Sequence, residues 1–175
     1  MISVLRRKIF TQKKYKIKEN ARMKNGTYFK KGVKDGTPIA LGYFAVSFTL
    51  GIAAKNAGLT AIQAMLMSLT NLTSAGEFAA LGLISSGAAY IEMAITQFVI
   101  NLRYCLMSCS LSQKVDPKAP YFHRFLFSAG ITDEIFGISS GVEGKLSPFY
   151  TYGVMSIAIP GWSIGTYLGV VAGNI

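Results

Sequence analysis

A long run of apolar and small residues, from Ile62 to Leu102, contains no lysine or arginine. A soluble domain of ordinary composition has about one charged residue in four, spread over its surface, so it does not contain a run of this kind. The middle of the run nevertheless holds a carboxyl group, Glu77, at a position where ionisation is expensive. The chain is therefore expected to be an all-α, polytopic membrane protein.

The basic residues are concentrated near the N-terminus. Twelve of the eighteen Lys and Arg residues precede Asp35. A basic segment directly before the first apolar span marks the cytoplasmic side of a membrane, and it can also lie on anionic headgroups. We prefer this interpretation to a nucleic-acid partner, although the net charge of +10 would suit one. The chain then divides into a basic cytoplasmic tail, residues 1–35, and a transmembrane domain, residues 36–175.

Local signals predict where helices begin and break. Thr37-Pro38 predicts the first helix start, with a capping residue followed by proline at the first helical position. Thr60 and Gln63 have the spacing of a capping box and predict the second start, and Ser147-Pro148 predicts the last. Residues 125–141 are expected to form one further span. The small-residue segments "TSAG" (residues 73–76) and "PG" (residues 160–161) are expected to break their helices.

The charge pattern also predicts a topology. The N-terminal tail and residues 114–124 are both basic, so both should be cytoplasmic, with an even number of crossings between them. Residues 61–111 then supply either three short helices or one helix plus a re-entrant hairpin at "TSAG", and we favour three. The total is about six crossings with broken helices, in a multi-pass protein of the plasma membrane. Lys118 would be cytoplasmic and Lys145 external.

The residues give no indication of an enzyme. Cys105 and Cys109 lie one helical turn apart, but a metal centre would need more ligands, and the single histidine, His123, lies in a polar loop. No metal and no cofactor are therefore expected. An intramembrane protease would need two membrane aspartates or a Ser–His pair, and Asp133 is the single aspartate in a predicted span. A channel and a non-transporting structural subunit of a membrane complex remain alternatives to a transporter.

Four segments of the apolar body carry a recognisable pattern: "SAGEFAAL", "NLRYCLMSCSLS", "ITDEIFGISSG" and "GWSIGTYLG". In order and spacing they resemble the AzlC family of branched-chain amino-acid exporters, the large subunit otherwise called YgaZ or BrnF. The resemblance covers roughly Gly36 to Gly173. It implies export of leucine, isoleucine, valine and similar amino acids, driven by an ion gradient. It also implies a small membrane partner subunit of the AzlD type.

The sequence departs from the family pattern in two ways. Family members usually carry glutamine where this chain has Glu77, and they continue with further helices beyond the position of Ile175. The chain is therefore expected to be either a short form of the exporter or the product of a truncated gene, and whether it is active alone stays open. As a protonated acid, Glu77 would stand in for the amide. As a carboxylate, it would carry a coupling proton or bind an ammonium group, and both interpretations remain open.

An exporter of apolar amino acids must bind an ammonium and a carboxylate together and offer an apolar pocket for the side chain. The N-termini of interrupted helices, with their free N–H groups, are suited to the charged end. Arg103 needs a partner, and we expect an ion pair with Asp133, because Glu92 is about 16 Å away along the helix. Asp133 is favoured for the cavity, whereas Glu134 shares a stripe with glycines that suits close packing. The candidate substrate-binding or coupling residues are Ser74, Gly76, Glu77, Asn101, Arg103, Asp133, Glu134 and Trp162.

Overall fold

The computed structural model describes residues 25–115 and 119–173. In these residues the chain forms seven helices and no strand beyond an isolated bridge between Val115 and Leu146. The helices are α1 (Asn25–Asn56), α2 (Ala61–Asn71), α3 (Ser74–Ser85), α4 (Tyr90–Ser112), α5 (Tyr121–Ser128), α6 (Asp133–Gly141) and α7 (Pro148–Ala172). The all-α prediction is confirmed for the described residues. Most of the basic tail, residues 1–24, lies outside them, as does Lys118.

Helices α1 and α7 are long and apolar enough, by length and composition, to cross a membrane. They pack side by side in the same direction, so that Gly32 lies against Tyr150 at one end and Gly169 against Phe48 towards the other. A Cβ atom at either glycine would run into the carbonyl oxygen opposite. The missing side chains thus allow the two backbones to approach closely, as small residues do between membrane helices.

Helices α2 and α3 form a hairpin that starts at the C-terminal end of α1. Thr60 and Gln63 make the predicted capping box at the start of α2. At the other end of α2, Leu72 adopts a left-handed conformation with φ 50° and ends the helix. Thr73 then caps α3, accepting a hydrogen bond from the backbone N–H of Gly76. The predicted break at "TSAG" is therefore confirmed, and it forms the tip of the hairpin.

Helix α4 runs back along the bundle, and α5 and α6 form a second hairpin at its far end. With 23 residues, α4 is about 35 Å long, comparable to the thickness of a bilayer core. α5 begins beside the start of α7, where His123 Nδ1 lies 2.9 Å from the Tyr152 hydroxyl. Thr132 caps α6, which returns to the same end, where the Lys114 side chain donates to the Ser140 carbonyl. The two hairpins thus enter the bundle from opposite ends.

Two predicted helix boundaries are wrong. Thr37 does not cap α1, which begins at Asn25; its hydroxyl instead donates to the Val33 carbonyl, 3.0 Å away, within the helix. Pro160 does not break α7 either. Neighbouring helices support prolines inside membrane helices, and Gly161 next to it lies directly against Ala40 of α1. Packing against α1 on both sides of the proline therefore keeps α7 continuous.

The prediction of one span over residues 125–141 is also wrong. Residues 129–132 separate α5 from α6, and the Ile135 backbone N–H donates to the Thr132 hydroxyl at 3.3 Å. A threonine in this position favours a new helix start over a continuing helix, because its side chain satisfies a backbone donor of the first turn. Two short helices that return to one end replace the predicted crossing.

The predicted count of six crossings is not confirmed, and the parallel packing of α1 and α7 contradicts its topology. Six crossings would make the first and last helices antiparallel. The backbone N–H of Leu146 instead donates to the Lys114 carbonyl at 2.9 Å, so the segment before α7 lies beside the segment after α4. Lys145 is therefore on the same side as Lys114, not the opposite side. The described helices comprise three long ones and two hairpins.

This arrangement can be tested by labelling single cysteines in a variant without Cys105 and Cys109. Cysteines replacing Gln113 and Lys145 should both be protected from an impermeant thiol reagent added outside intact cells. A cysteine replacing Ser86, between α3 and α4 at the other end of the bundle, should react. Labelling of Gln113 and Lys145 from opposite sides would contradict the parallel arrangement.

Candidate functional site

A cavity of about 410 Å³ lies where the tips of the two hairpins face α1 and α7. Its volume is within the usual range for small-molecule sites, roughly 300–1,000 Å³. The apolar part of the wall consists of Pro38, Ile39, Gly42, Val46, Leu72, Ile159 and Trp162. The polar part consists of Tyr43, Ser74, Tyr104, Thr132, Asp133 and Glu134. The cavity is thus mostly apolar, with its acidic groups at the start of α6.

The acidic corner is built on the first turn of α6. Asp133 and Glu134 occupy that turn, where the helix dipole favours negative charge. The Tyr43 hydroxyl hydrogen-bonds to Thr132 Oγ1 and to a Glu134 carboxylate oxygen, and so ties the corner to α1. Within the described ranges Glu134 makes no ion pair. An unneutralised carboxylate therefore faces the cavity, contrary to the prediction that Glu134 belongs to a close-packed glycine face.

The glycines of that predicted face explain the error. A Cβ at Gly137 or Gly141 would meet no atom within 4 Å, so neither is needed for close helix packing. Gly130 is the exception, because a Cβ there would run into Met155. The stripe of small residues therefore does not mark an interface along α6.

Arg103 of α4 pairs with Asp133, as predicted. Its Nη1 lies 2.7 Å from Asp133 Oδ2, and its Nη2 donates to the Tyr104 hydroxyl at 3.1 Å. Tyr104 and Asp133 line the cavity, whereas Arg103 does not. The ion pair is partly exposed, with side-chain exposures of 42% and 47%. Its effect is to hold two cavity groups in place.

Trp162 of α7 forms one wall of the cavity, and Glu77 holds it from behind. The Trp162 indole Nε1 donates to Glu77 Oε1 at 2.8 Å, and the ring packs edge-on against Tyr43 at 5.4 Å between centroids. Glu77 itself is completely buried and does not line the cavity. That Glu77 binds a substrate ammonium directly stays a prediction, because in this structure its carboxyl group contacts Ser68 and Trp162 and does not reach the cavity. Glu77 acts on the cavity through Trp162.

The hydrogen bonds around Glu77 form a chain of groups. Glu77 Oε2 lies 2.6 Å from Ser68 Oγ, which lies 2.8 Å from Thr166 Oγ1, and Thr166 can donate to the Trp162 carbonyl at 3.1 Å. When Glu77 is ionised, Ser68 donates to its carboxylate and Thr166 donates to the Trp162 carbonyl. When Glu77 is neutral, its acid proton goes to Ser68, Ser68 donates to Thr166, and Thr166 donates to the carbonyl. Every hydroxyl then donates once, as buried polar groups require. A glutamine amide, with N–H towards Ser68 and its oxygen towards Trp162, fits the same pattern.

We therefore expect the Glu77→Gln protein to insert into the membrane normally and to keep the wild-type transport rate. The measurement is the amount of folded protein in the membrane together with the transport rate proposed below, as a function of external pH. Glu77→Leu removes the carboxyl group and leaves the buried Trp162 N–H unsatisfied, at a cost of about 1–3 kcal/mol, so it should insert poorly. An inactive but normally inserted glutamine variant would show that the carboxylate itself is required.

The remaining candidates divide between the cavity and its support. Ser74, at the start of α3, lines the cavity. Gly76 and Asn101 do not: the Gly76 carbonyl accepts from Gln97 Nε2 at 2.7 Å, and Asn101 Nδ2 contacts Gln97 Oε1 at 3.4 Å. A Cβ at Gly76 would come within 3 Å of both Thr73 and Gln97. These residues hold the start of α3 against α4.

Sequence reasoning missed most of the α1 wall, above all Tyr43. Tyr43 is separated from Glu134 by 91 residues, and a tyrosine within an apolar span carries no signal of its own. Thr132 could have been found, because a threonine before two acidic residues is a common helix start.

Comparison with known proteins finds one matching family model and several related membrane proteins. A family model described as "AzlC protein" matches residues 38–175. An uncharacterized membrane protein of Archaeoglobus fulgidus is 32% identical over 146 residues, and the inner membrane protein YgaZ of Escherichia coli is 23% identical over 150 residues. Each match covers 83% of this chain but only 63% and 61% of the relative's length. No solved structure gives a significant match.

Proposed function

The chain belongs to the AzlC family of membrane proteins, and from this premise we propose that it exports branched-chain amino acids from the cytoplasm. The substrates are leucine, isoleucine, valine and close analogues. The observation that carries the proposal is the cavity between the hairpin tips, which combines carboxylates and a helix start with an apolar wall. These are the three surfaces that an apolar amino acid requires.

Each part of the substrate has a complementary part of the cavity. The ammonium group pairs with Glu134, the carboxylate that no cation neutralises in the described chain. The substrate carboxylate lies at the start of α3, where Ser74 faces the cavity and the helix dipole favours negative charge. The aliphatic side chain packs against Ile39, Val46 and Ile159. Asp133 is already neutralised by Arg103, so it shapes the site without competing for the ammonium.

The two hairpins support transport rather than static binding. They enter from opposite ends of the bundle, and their tips meet at the cavity, where the Tyr43–Trp162 contact connects them. Interrupted helices with binding sites near mid-membrane are typical of secondary transporters. In this mechanism one hairpin moves to open the cavity to the cytoplasm and the other to open it to the outside. The protein lies in the plasma membrane with its N-terminus in the cytoplasm.

A small membrane subunit of the AzlD type is part of the proposal. Helix α4 exposes a row of large apolar side chains to its surroundings: Ile91, Ile95, Phe98, Val99, Leu102 and Leu106. Within the described residues this face is uncovered, and it suits either lipid or an apolar helix. The chain spans about 61 to 66% of the length of the relatives it matches, so activity with and without the small subunit must be measured separately.

The test is efflux from cells that lack their own exporters and are loaded with dipeptides containing leucine, isoleucine or valine. Cells producing this chain, alone or with an AzlD-type subunit, should release the three amino acids faster than control cells. Release of lysine and aspartate, from matched dipeptides, should not change. Equal release with and without the chain, in the presence of the small subunit, would refute export and favour a non-transporting structural role.

A further inference from the structure

Gly42 is the position at which α1 presents no side chain to the cavity. The α1 residues that line the cavity are spaced three and four apart, as expected for one face of a helix, and Gly42 lies between Ile39 and Val46 in that stripe. A Cβ atom built at Gly42 meets no heavy atom within 4 Å. Gly42 is exposed and lines the cavity, so the space in front of it is open and is not filled by a neighbouring helix.

Packing explains Gly32, Gly36 and Gly51 of α1 but not Gly42. A Cβ at Gly32 or Gly51 would run into the backbone of α7, and one at Gly36 would come within about 3 Å of Val154. Gly42 has no such contact. A glycine inside a helix is less favourable than an alanine, and helix packing does not compensate for it here. What the glycine provides is cavity volume.

We propose that the missing side chain at Gly42 sets the largest amino-acid side chain that the cavity accepts. This inference rests on the proposed export function and deepens it. With the ammonium at Glu134, the aliphatic end of the substrate is directed towards the apolar wall that contains Ile39 and Val46. A methyl group at Gly42, similar in size to a water molecule (~30 Å³), would take that volume from the 410 Å³ cavity.

The size of the expected effect follows from known pocket selectivity. One methylene group more or less in a well-shaped apolar pocket changes the relative rate of two substrates by about 10- to 200-fold. Gly42→Ala should therefore lower the efflux of leucine and isoleucine at least tenfold relative to alanine, with valine between them. Gly42→Val, which fills more of the space, should also lower valine efflux relative to alanine.

The experiment measures initial efflux rates of leucine, isoleucine, valine and alanine from dipeptide-loaded cells. The matched control is Gly82→Ala in α3: a Cβ there also meets no atom within 4 Å, but Gly82 does not line the cavity. The control should keep the wild-type ratios. Purified Gly42→Ala protein should melt at or above the wild-type temperature, because no neighbour has to move.

The efflux rates and the melting temperature distinguish a failure of the size limit at Gly42 from a failure of the export function. Wild-type efflux with unchanged leucine-to-alanine ratios in Gly42→Ala would overturn the inference and leave the export function standing. An equal loss for all four amino acids, or a lower melting temperature, would also overturn it, since it would show packing damage instead of a size limit. A wild-type chain without efflux would overturn the function and this inference together.

Discussion

Glu134→Gln is expected to reduce amino-acid efflux at least thirty-fold, without reducing the amount of protein in the membrane. Glu134 is the cavity carboxylate that makes no ion pair within the described part of the chain, so a substrate ammonium is its natural counter-ion. Removing one partner of a desolvated charge pair costs about 2–5 kcal/mol, and each 1.4 kcal/mol corresponds to a factor of ten. Glutamine keeps the volume and can still accept the Tyr43 hydrogen bond, so folding is preserved.

Glu92→Gln provides the matched control. Glu92 lies in the first turn of α4, is exposed and does not line the cavity, so its neutralisation should leave efflux unchanged. The measurement is the initial rate as a function of internal leucine concentration. Full efflux by Glu134→Gln would show that the ammonium is held elsewhere and would remove the central contact of the proposed site.

Tyr43 connects Glu134 to the rest of the site. Its hydroxyl contacts Glu134 on one hairpin, and its ring packs against Trp162, which Glu77 holds on the other hairpin. Glu134 therefore lies next to the Tyr43–Trp162 contact that connects the two hairpin tips, and a change in its charge state acts directly on that contact. An empty, negatively charged Glu134 in an apolar cavity is unfavourable, which gives a physical reason for the cavity to change its access only when a cation occupies this carboxylate.

Local signals in the sequence predicted the parts of the fold that depend on neighbouring residues. The capping box at Thr60 and the break before α3 follow from side chains within four residues of the backbone groups they satisfy. The ion pair between Arg103 and Asp133 could be predicted because a charged side chain at that depth needs a partner. The capping box and the helix break require no knowledge of the tertiary structure, and the ion pair requires only that the two helices are neighbours.

Features that depend on packing between distant helices could not be predicted in this way. The continuity of α7 through Pro160 and the parallel direction of α1 and α7 are set by glycines that fit against backbone more than 100 residues away. The predicted topology differs from the structure because it counted residues 61–111 as three crossings and residues 125–141 as one, whereas Thr73 and Thr132 mark the turns of two hairpins. Hydropathy gives the amount of apolar chain but not whether that chain turns back.

For Glu77, too, the sequence indicated the local surroundings but not the contacts made with distant helices. Its position between small and apolar residues, in a run without basic residues, was visible in the sequence. Its role was not, because both of its hydrogen-bond partners outside α3, Ser68 and Trp162, come from other helices. The sequence therefore indicated a constrained carboxyl group, and only the structure shows that it supports the cavity wall instead of lining it.

Arg103→Ala is expected to abolish efflux, and Arg103→Lys is expected to restore little of it. The guanidinium contacts Asp133 with one nitrogen and the Tyr104 hydroxyl with the other, a forked geometry that a lysine ammonium does not reproduce. Without Arg103, the Asp133 carboxylate faces the cavity unpaired beside Glu134. It then competes for the substrate ammonium and draws the substrate away from the position that Glu134 defines.

A double variant distinguishes neutralisation of Asp133 by Arg103 from direct binding of the substrate by Arg103. If Arg103 acts by neutralising Asp133, then Asp133→Asn in the Arg103→Ala background should restore part of the efflux, because the competing charge is gone. If Arg103 instead binds the substrate carboxylate itself, the double variant should be as inactive as the single one. The measurement is KM and maximal rate for leucine in the two variants, with Lys145→Ala as the control for loss of an exposed charge. Rescue through a lower KM would identify Arg103 as a positioning residue, since it lies outside the cavity and reaches the substrate only through the groups it holds.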